Sequence, residues 1–290
     1  MAAMTSTMKQ TPVSVYIINF IAWVVRHSLS IFVSLFFLLP FFIMVTTAFK
    51  EPWELYIYPI QLMPVAFNPW AFRAVFETIP FWMYFQNTLI ICVMAVLGVV
   101  TTSPMVAYSL ARLNWRGRDI LFLITLSIMM IPFASVMVPI FLIMRTLGLV
   151  GTFFPLFLPQ WFGVPFFIFL LRQFFKGLPR DLEDAARIDG AGEFSIYFRI
   201  FLPLCKPALL TVGIMQFLAS WNDLIGPMIY LRTQRMYTLA IGLQQFQAQW
   251  STEWNQLTAA ASMMSIPLIV TFFIIQKQFM TGITFSGIKD

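Results

Sequence analysis

Few residues in this sequence could do covalent or metal chemistry. Its 290 residues include one histidine, His27, and two cysteines, Cys92 and Cys205. A hydrolase triad or a structural zinc site needs several such groups close together. No H-E-x-x-H pair and no G-x-x-x-x-G-K-[ST] phosphate loop occurs, so catalysis, metal binding and nucleotide binding by this chain are all unexpected. Two features do carry polar chemistry. One is Asp223, the single acid inside a long apolar run, directly after Trp221 and Asn222. A charge at mid-bilayer costs on the order of 2.5–3.5 kcal/mol on insertion scales. Asp223 is therefore expected either to line a water-filled path or gate, with Trp221 and Asn222, or to bond neighbouring helix ends. The other feature is a crowded stretch of both signs, Arg180 to Pro207, holding Arg180, Asp181, Glu183, Asp184, Arg187, Asp189, Glu193, Arg199 and Lys206.

That stretch reads as two short helices around a glycine. Leu178-Pro179 starts the first, where the missing N–H of proline costs nothing. Leu182, Ala185 and Ala186 give it a small, flat apolar face. Asp189-Gly190 ends it, because glycine accepts the left-handed backbone of a helix stop. Phe194, Tyr197, Phe198, Phe201 and Leu202 form an i, i+3, i+4, i+7, i+8 stripe on the second. A helix–glycine–helix knob standing out from an apolar body suits docking of another protein. The acids Glu183, Asp184 and Asp189 would meet basic groups on that partner.

The body is a membrane protein by composition. Hydrophobic residues make up 60% of the chain and charged residues 10%, against roughly 25% charged in soluble domains, and the mean hydropathy is +0.82. The net charge of +6 is dispersed between apolar runs, so nucleic-acid binding is not expected. Cys92 and Cys205 read as inert buried thiols, and no cleavable leader is evident.

Six runs are long enough to cross about 30 Å of hydrocarbon as helices. They are Ser28 to Phe49; the stretch from about Phe85 to Ala111; Ile120 to Met144, with Pro132 and Pro139; about Thr152 to Leu171; about Pro207 to Leu231; and about Trp254 to Ile275. Residues 1–27 are expected to hold a cytoplasmic, interfacial helix, capped at Thr11-Pro12 with Val13 to Val25 on its apolar face. A short extension of the first span is the alternative. Residues 28–276 form the six-span domain, with an outer loop at 50–86 and the knob within a loop at 172–207; a cytoplasmic tail at 277–290 follows. With both termini inside, 13 of the 18 lysines and arginines fall in inner segments and 5, namely Lys50, Arg73, Arg145, Arg232 and Arg235, in outer ones. That bias predicts an N-in, C-in topology and puts the knob in the cytoplasm. In the outer loop, Asn68-Pro69 reads as a cap opening a short helix through Phe76. Small residues on the second span, among them Gly98, Thr101, Thr102 and Ser103, suit close helix packing. Gly226-Pro227 is expected to loosen the fifth span.

The knob resembles the cytoplasmic loop of permease subunits of bacterial ATP-binding-cassette importers, whose form is EAA, three residues, G, nine residues, I-x-LP. Here Ala185-Ala186 is followed by Gly190, then Ile200, then Leu202-Pro203, with Asp184 where the family has glutamate and Glu183 beside it. The longer run EDAARIDGA, Glu183 to Ala191, is similar to the carbohydrate-uptake branch, specifically the second permease of maltose-type importers. Asn87-Thr88-Leu89, Ala107 to Asp119, Leu147 to Thr152 and Trp221-Asn222-Asp223 also resemble that branch. The tail resembles the family's tail, which reaches the ATPases, although FSGIKD departs from its usual ending. The resemblance implies an all-α permease of the bacterial inner membrane that binds no cofactor itself. ATP and Mg would lie on two separate ATPase subunits, beside a second homologous permease and an extracytoplasmic solute-binding protein. The residues implied in ATPase coupling are Glu183, Asp184, Ala185, Ala186, Asp189, Gly190, Ala191, Phe198, Ile200, Leu202 and Pro203. The solute implied is a sugar, oligosaccharide or related polyol or sugar phosphate. Alternative readings are an ion-coupled secondary transporter, disfavoured by the single intramembrane acid and the lack of an internal repeat, and an importer of a non-carbohydrate solute.

Overall fold

A computed structural model describes residues 13–247 and 253–284. Among these residues the chain is helical, with no strand. The expected cap at Thr11-Pro12 and the ending Phe285 to Asp290 lie outside the described residues.

α1 runs unbroken from Val13 to Ala48. Over residues 13–27 the expected separate interfacial helix is therefore not formed, and this part extends the first span, the alternative reading. No glycine or proline interrupts the chain at Arg26-His27. The polar groups there turn back on their own helix: Arg26 Nε donates to the Ala22 carbonyl at 3.2 Å, and His27 Nδ1 lies 2.8 Å from the Trp23 carbonyl oxygen. At 1.5 Å per residue α1 is about 54 Å long, well beyond a bilayer core.

The loop that follows is pinned by charged groups. Glu54 accepts the N–H groups of Glu51 and Val65, and Lys50 Nζ donates to the Gln61 carbonyl. Asn68 Oδ1 accepts the Trp70 N–H at 3.1 Å ahead of α2, Trp70–Thr78; the short helix forms, but Pro69 rather than Asn68 stands at its cap and it runs past the expected Phe76.

α3, Phe81–Arg112, is the central mast; it begins four residues before the expected Phe85. It contributes to all three apolar clusters, with Tyr108 and Leu110 in the first, Tyr84 and Cys92 in the second, and Ile91 in the third. Gly98 is where the close approach matters. A Cβ there would lie 2.6 Å from Trp161 Cδ1, and the Trp161 indole donates across the gap to the Met94 carbonyl at 3.0 Å.

The third span is not one helix. α4, Arg118–Ile128, and α5, Phe133–Thr146, meet at 103°. Pro132 has no N–H to continue the ladder and drives Ile131 away from helical backbone. The fourth span is broken too: α6, Phe154–Phe157, and a 3₁₀ turn, Leu158–Phe162, lead to Gly163 at φ +87 before α7, Pro165–Lys176. Ser103 Oγ of α3 accepts the freed Val164 N–H at 3.3 Å, which fixes the break against the mast.

The knob comprises α8, Asp181–Ile188, and an arm built from α9, Glu193–Ile196, a π-helical turn, Tyr197–Phe201, and α10, Leu202–Leu204. The arm bends 74° into α11, Lys206–Trp221. The fifth span stops there. α12, Ile225–Tyr230, follows after Asn222–Leu224, so the break lies ahead of the expected Gly226-Pro227. α13, Leu239–Gln244, leads to α14, Trp254–Thr284. That helix runs past the expected end at Ile275, so the first part of the expected tail is helical. Among the described residues, three single helices, α1, α3 and α14, and the broken run Phe154–Lys176 are long and apolar enough to cross a membrane, and counting each of the two bent pairs as one span brings the number up to six. Large apolar side chains line the outside, as lipid requires.

Candidate functional site

α8 and the arm form the knob, and Gly190 sets the corner. Its φ of +81 lies in the left-handed region, as the sequence predicts. A Cβ there would meet nothing within 4 Å, so the demand for glycine is conformational. The Ala191 N–H donates to the Ala186 carbonyl at 2.9 Å and closes the helix end.

α8 has two unlike faces. Asp184, Ala185, Asp189 and Gly190 point outward, and Ile188 is 87% exposed. Glu183 and Ala186 point into the protein. Glu183, expected to meet a partner, is only 4% exposed and pairs with Arg112 at 3.5 Å. Ala186, expected on the docking face with Leu182 and Ala185, packs inward in its place. An eight-residue helix must bury some side against its support, and positions i and i+3 share one side.

The arm divides in the same way. Tyr197 and Phe201 are buried against Tyr108 and Phe175, with ring centroids 5.2–6.1 Å apart. Phe194 and Phe198 are exposed, so the expected five-residue stripe is not one face. The π turn that starts at Tyr197 changes the residues-per-turn, which rotates the following side chains out of the α-helical register. Ala191, Ile200 and Leu202 are half-buried and Pro203 is exposed. On the surface Arg187 bridges Asp184 at 3.5 Å and Glu193 at 3.0 Å. The Glu193 hydrogen bond holds the Arg187 pKa above its ordinary value.

Arg112 is the residue the sequence reading missed. Counted there only as an inner positive charge, it ends α3 with its side chain almost fully buried. Its guanidinium donates to the Phe175 and Leu178 carbonyls at the end of α7, faces Glu183, and lies 4.9 Å from the Phe201 ring centroid. Orphan carbonyls at a helix C-terminus carry partial negative charge, which favours a cation there.

The second site surrounds Asp223. Trp221, expected on the path, is instead fully buried; its indole donates to the Met264 carbonyl at 3.2 Å and stacks on Phe217. Its size and apolar body make it a packing anchor. Asn222 faces a separate groove beside α14. Asp223 lies in the break between α11 and α12, not inside a helix, and its Oδ1 accepts the Gly226 N–H at 3.0 Å. It also borders a cavity of about 270 Å³ whose polar lining includes Thr88, Gln160, Gln216, Ser220 and Thr238. Gln160 Oε1 and Thr238 Oγ1 have no protein partner there. Gln216, Ser220 and Asp223 stand at i, i+4 and i+7 in the sequence, a polar spacing that was a readable signal of this cavity even though Asp223 falls just past the end of α11.

These features are those of a multi-span membrane protein, and comparison with known proteins gives its class, a transport permease. The chain belongs to the family of binding-protein-dependent transport system inner membrane components, matched over residues 95–284. It is 34% identical over 273 residues to the arabinooligosaccharides transport system permease protein AraQ of Bacillus subtilis, covering 92% of this chain and 96% of that one. It is 30% identical over 289 residues to the probable starch degradation products transport system permease protein AmyC of Thermoanaerobacterium thermosulfurigenes, covering 98% and 100%. Among solved structures, a bacterial ABC transporter involved in import of the acidic polysaccharide alginate superposes with a TM-score of 0.77 at 26% identity, covering 90% of this chain and 97% of that chain.

Proposed function

We propose that this chain is the membrane-spanning subunit of an ATP-driven importer that takes up a sugar or oligosaccharide across a bacterial cytoplasmic membrane. The single observation that carries the reading is the outward face of α8, with Asp184, Ala185, Ile188 and Asp189 free of the body and ended by Gly190. A short, exposed helix held at a fixed angle is what a lever between a soluble motor and a membrane bundle requires. Two ATPase subunits would supply ATP and Mg binding and hydrolysis. An extracytoplasmic binding protein would deliver solute. A second, homologous permease would complete the path; the bare flanks of α1, buried over only 6% of its most apolar window, suit such a neighbour. The carbohydrate class rests on the relatives, which include permeases of arabinooligosaccharide, starch-product and diacetylchitobiose systems. The cavity bordered by Asp223 offers hydroxyl-compatible donors and acceptors along such a path. ATP-driven closure of the motors would move the knob and switch the bundle between inward- and outward-facing states.

The reading is tested by purifying this chain with whatever it retains. The complex is then reconstituted in nanodiscs, and Mg-ATP hydrolysis is assayed against a panel of neutral oligosaccharides with the matching binding protein. Stimulation by at least one oligosaccharide is the expected result. An assembly without ATPases, or uptake driven by an ion gradient alone, overturns it.

A further inference from the structure

We propose that the last turn of α3, through Tyr108 and Arg112, is the brace that couples the knob to the membrane bundle, with Arg112–Glu183 as its central pair. This deepens the importer reading and rests on it.

Tyr108 and Arg112 are four residues apart and so share one side of α3. Each reaches a different half of the knob. Tyr108 Oη donates to Glu193 Oε2 at 3.2 Å, at the start of the arm. Arg112 faces Glu183 of α8 at 3.5 Å. The same guanidinium holds the end of α7 by its two carbonyl contacts and stacks near Phe201 of the π turn. One side chain thus touches the end of α7, α8 and the arm. The fork of Arg suits that task, because its donors are fixed in one plane.

The pair is also isolated from water. The side chains of Arg112 and Glu183 are 3% and 6% exposed. Arg112 Nε and Glu183 Oε2 have no hydrogen-bond partner, so each ion depends on the other. A buried charge that loses its partner is strongly penalised, and α8 cannot tilt away from α3 without separating them. Glu193 extends the chain outward, since it accepts from Tyr108 and from Arg187 on the exposed side of α8. Displacement of the outer face is therefore passed to the mast through two carboxylates as well as through the chain connections at Gly177 and Gly190.

The test uses the full complex in nanodiscs, with spin labels on Arg116→Cys at the end of the mast and Asp181→Cys on α8. Both positions are exposed, while native Cys92 and Cys205 are buried. Distances are measured without nucleotide and with Mg-ATP and vanadate. The original pair should give one narrow distribution in both states. Glu183→Gln and Arg112→Gln should each widen it at least twofold. The double variant should be no wider than either single one, because the two share one interaction. Arg112→Lys should fall between, since an ammonium meets the carboxylate or the carbonyls but not all of them. If Arg112→Gln does not insert, the isosteric Glu183→Gln and the hydroxyl deletion Tyr108→Phe give the same reading. Unchanged widths, or additive widening in the double variant, overturn the proposal. Failure of the importer reading shows separately, as a complex that retains no ATPase or does not hydrolyse Mg-ATP whatever the label widths.

Discussion

Asp223 and Gly226 are fitted to each other: Oδ1 of the acid accepts the glycine N–H at 3.0 Å, while Oδ2 lies 2.4 Å from where a Cβ on Gly226 would stand. The carboxylate thus caps α12 and fills the space that glycine leaves. Both readings of Asp223 from the sequence, a path lining and a bond to helix ends, remain compatible with this position. Asp223→Asn keeps an acceptor for the Gly226 N–H and removes only the charge. Asp223→Leu removes both, at a cost near that of a lost cap, about 1 kcal/mol. If the charge serves transport, both variants should slow uptake severalfold and only Asp223→Leu should lower thermal stability. Uptake by Asp223→Asn at the native rate would assign the acid to the cap alone.

Gly190 separates strain from crowding, because its φ is +81 and nothing stands near its missing side chain. Gly190→Val should suffer only the backbone penalty, of order 1–3 kcal/mol. Asparagine tolerates left-handed backbone better. Uptake and ATPase stimulation should fall steeply in Gly190→Val and survive in Gly190→Asn, with both proteins inserted. Equal activity of the two variants would mean that the corner does not transmit force.

Ala185 is exposed on α8 while its neighbour Ala186 is buried, and bulk at each should have a different effect. Ala185→Trp should weaken ATPase retention on purification without lowering the melting temperature. Ala186→Trp overpacks the joint between α8 and the bundle, a change that costs typically 1–3 kcal/mol. It should lower the melting temperature. Identical behaviour of the two would contradict the facing seen here.

The orientation expected from the lysine and arginine bias can be checked by labelling. Gln61 and Gly192 are both exposed, on the long outer loop and on the knob. An impermeant thiol reagent added to intact cells should reach Gln61→Cys and spare Gly192→Cys. Labelling in the reverse order would invert the topology.

The spans and the knob were readable because each depends on local composition. Uncharged runs over twenty residues long demand lipid, and Asp189-Gly190 stops a helix through backbone freedom alone. The breaks were readable only in part. Pro132 is visible in the sequence, but the turn at Gly163 is held by Ser103, 61 residues before Val164, the residue whose N–H it accepts. The facing of α8 was not readable. Its eight residues carry acids on every side, so periodicity alone cannot say which acid turns inward. That choice is made by Arg112, 71 residues before Glu183. The π turn defeated the stripe on the arm for a related reason, since the expected spacing assumes a uniform helix.

α1 finds its main packing partner in α14, and Asn255 fastens the two by donating to the Thr47 carbonyl at 3.0 Å and the Lys50 carbonyl at 2.8 Å. A helix made early in synthesis is thus clasped by one that follows it by some 205 residues at the point of contact. Neither bond can form until Asn255 has been made, so the packing of α1 on α14 is among the late contacts of the fold. Loss of the Asn255 amide therefore strips the Thr47 and Lys50 carbonyls of a shared donor, and loss of α14 takes from α1 its main packing partner.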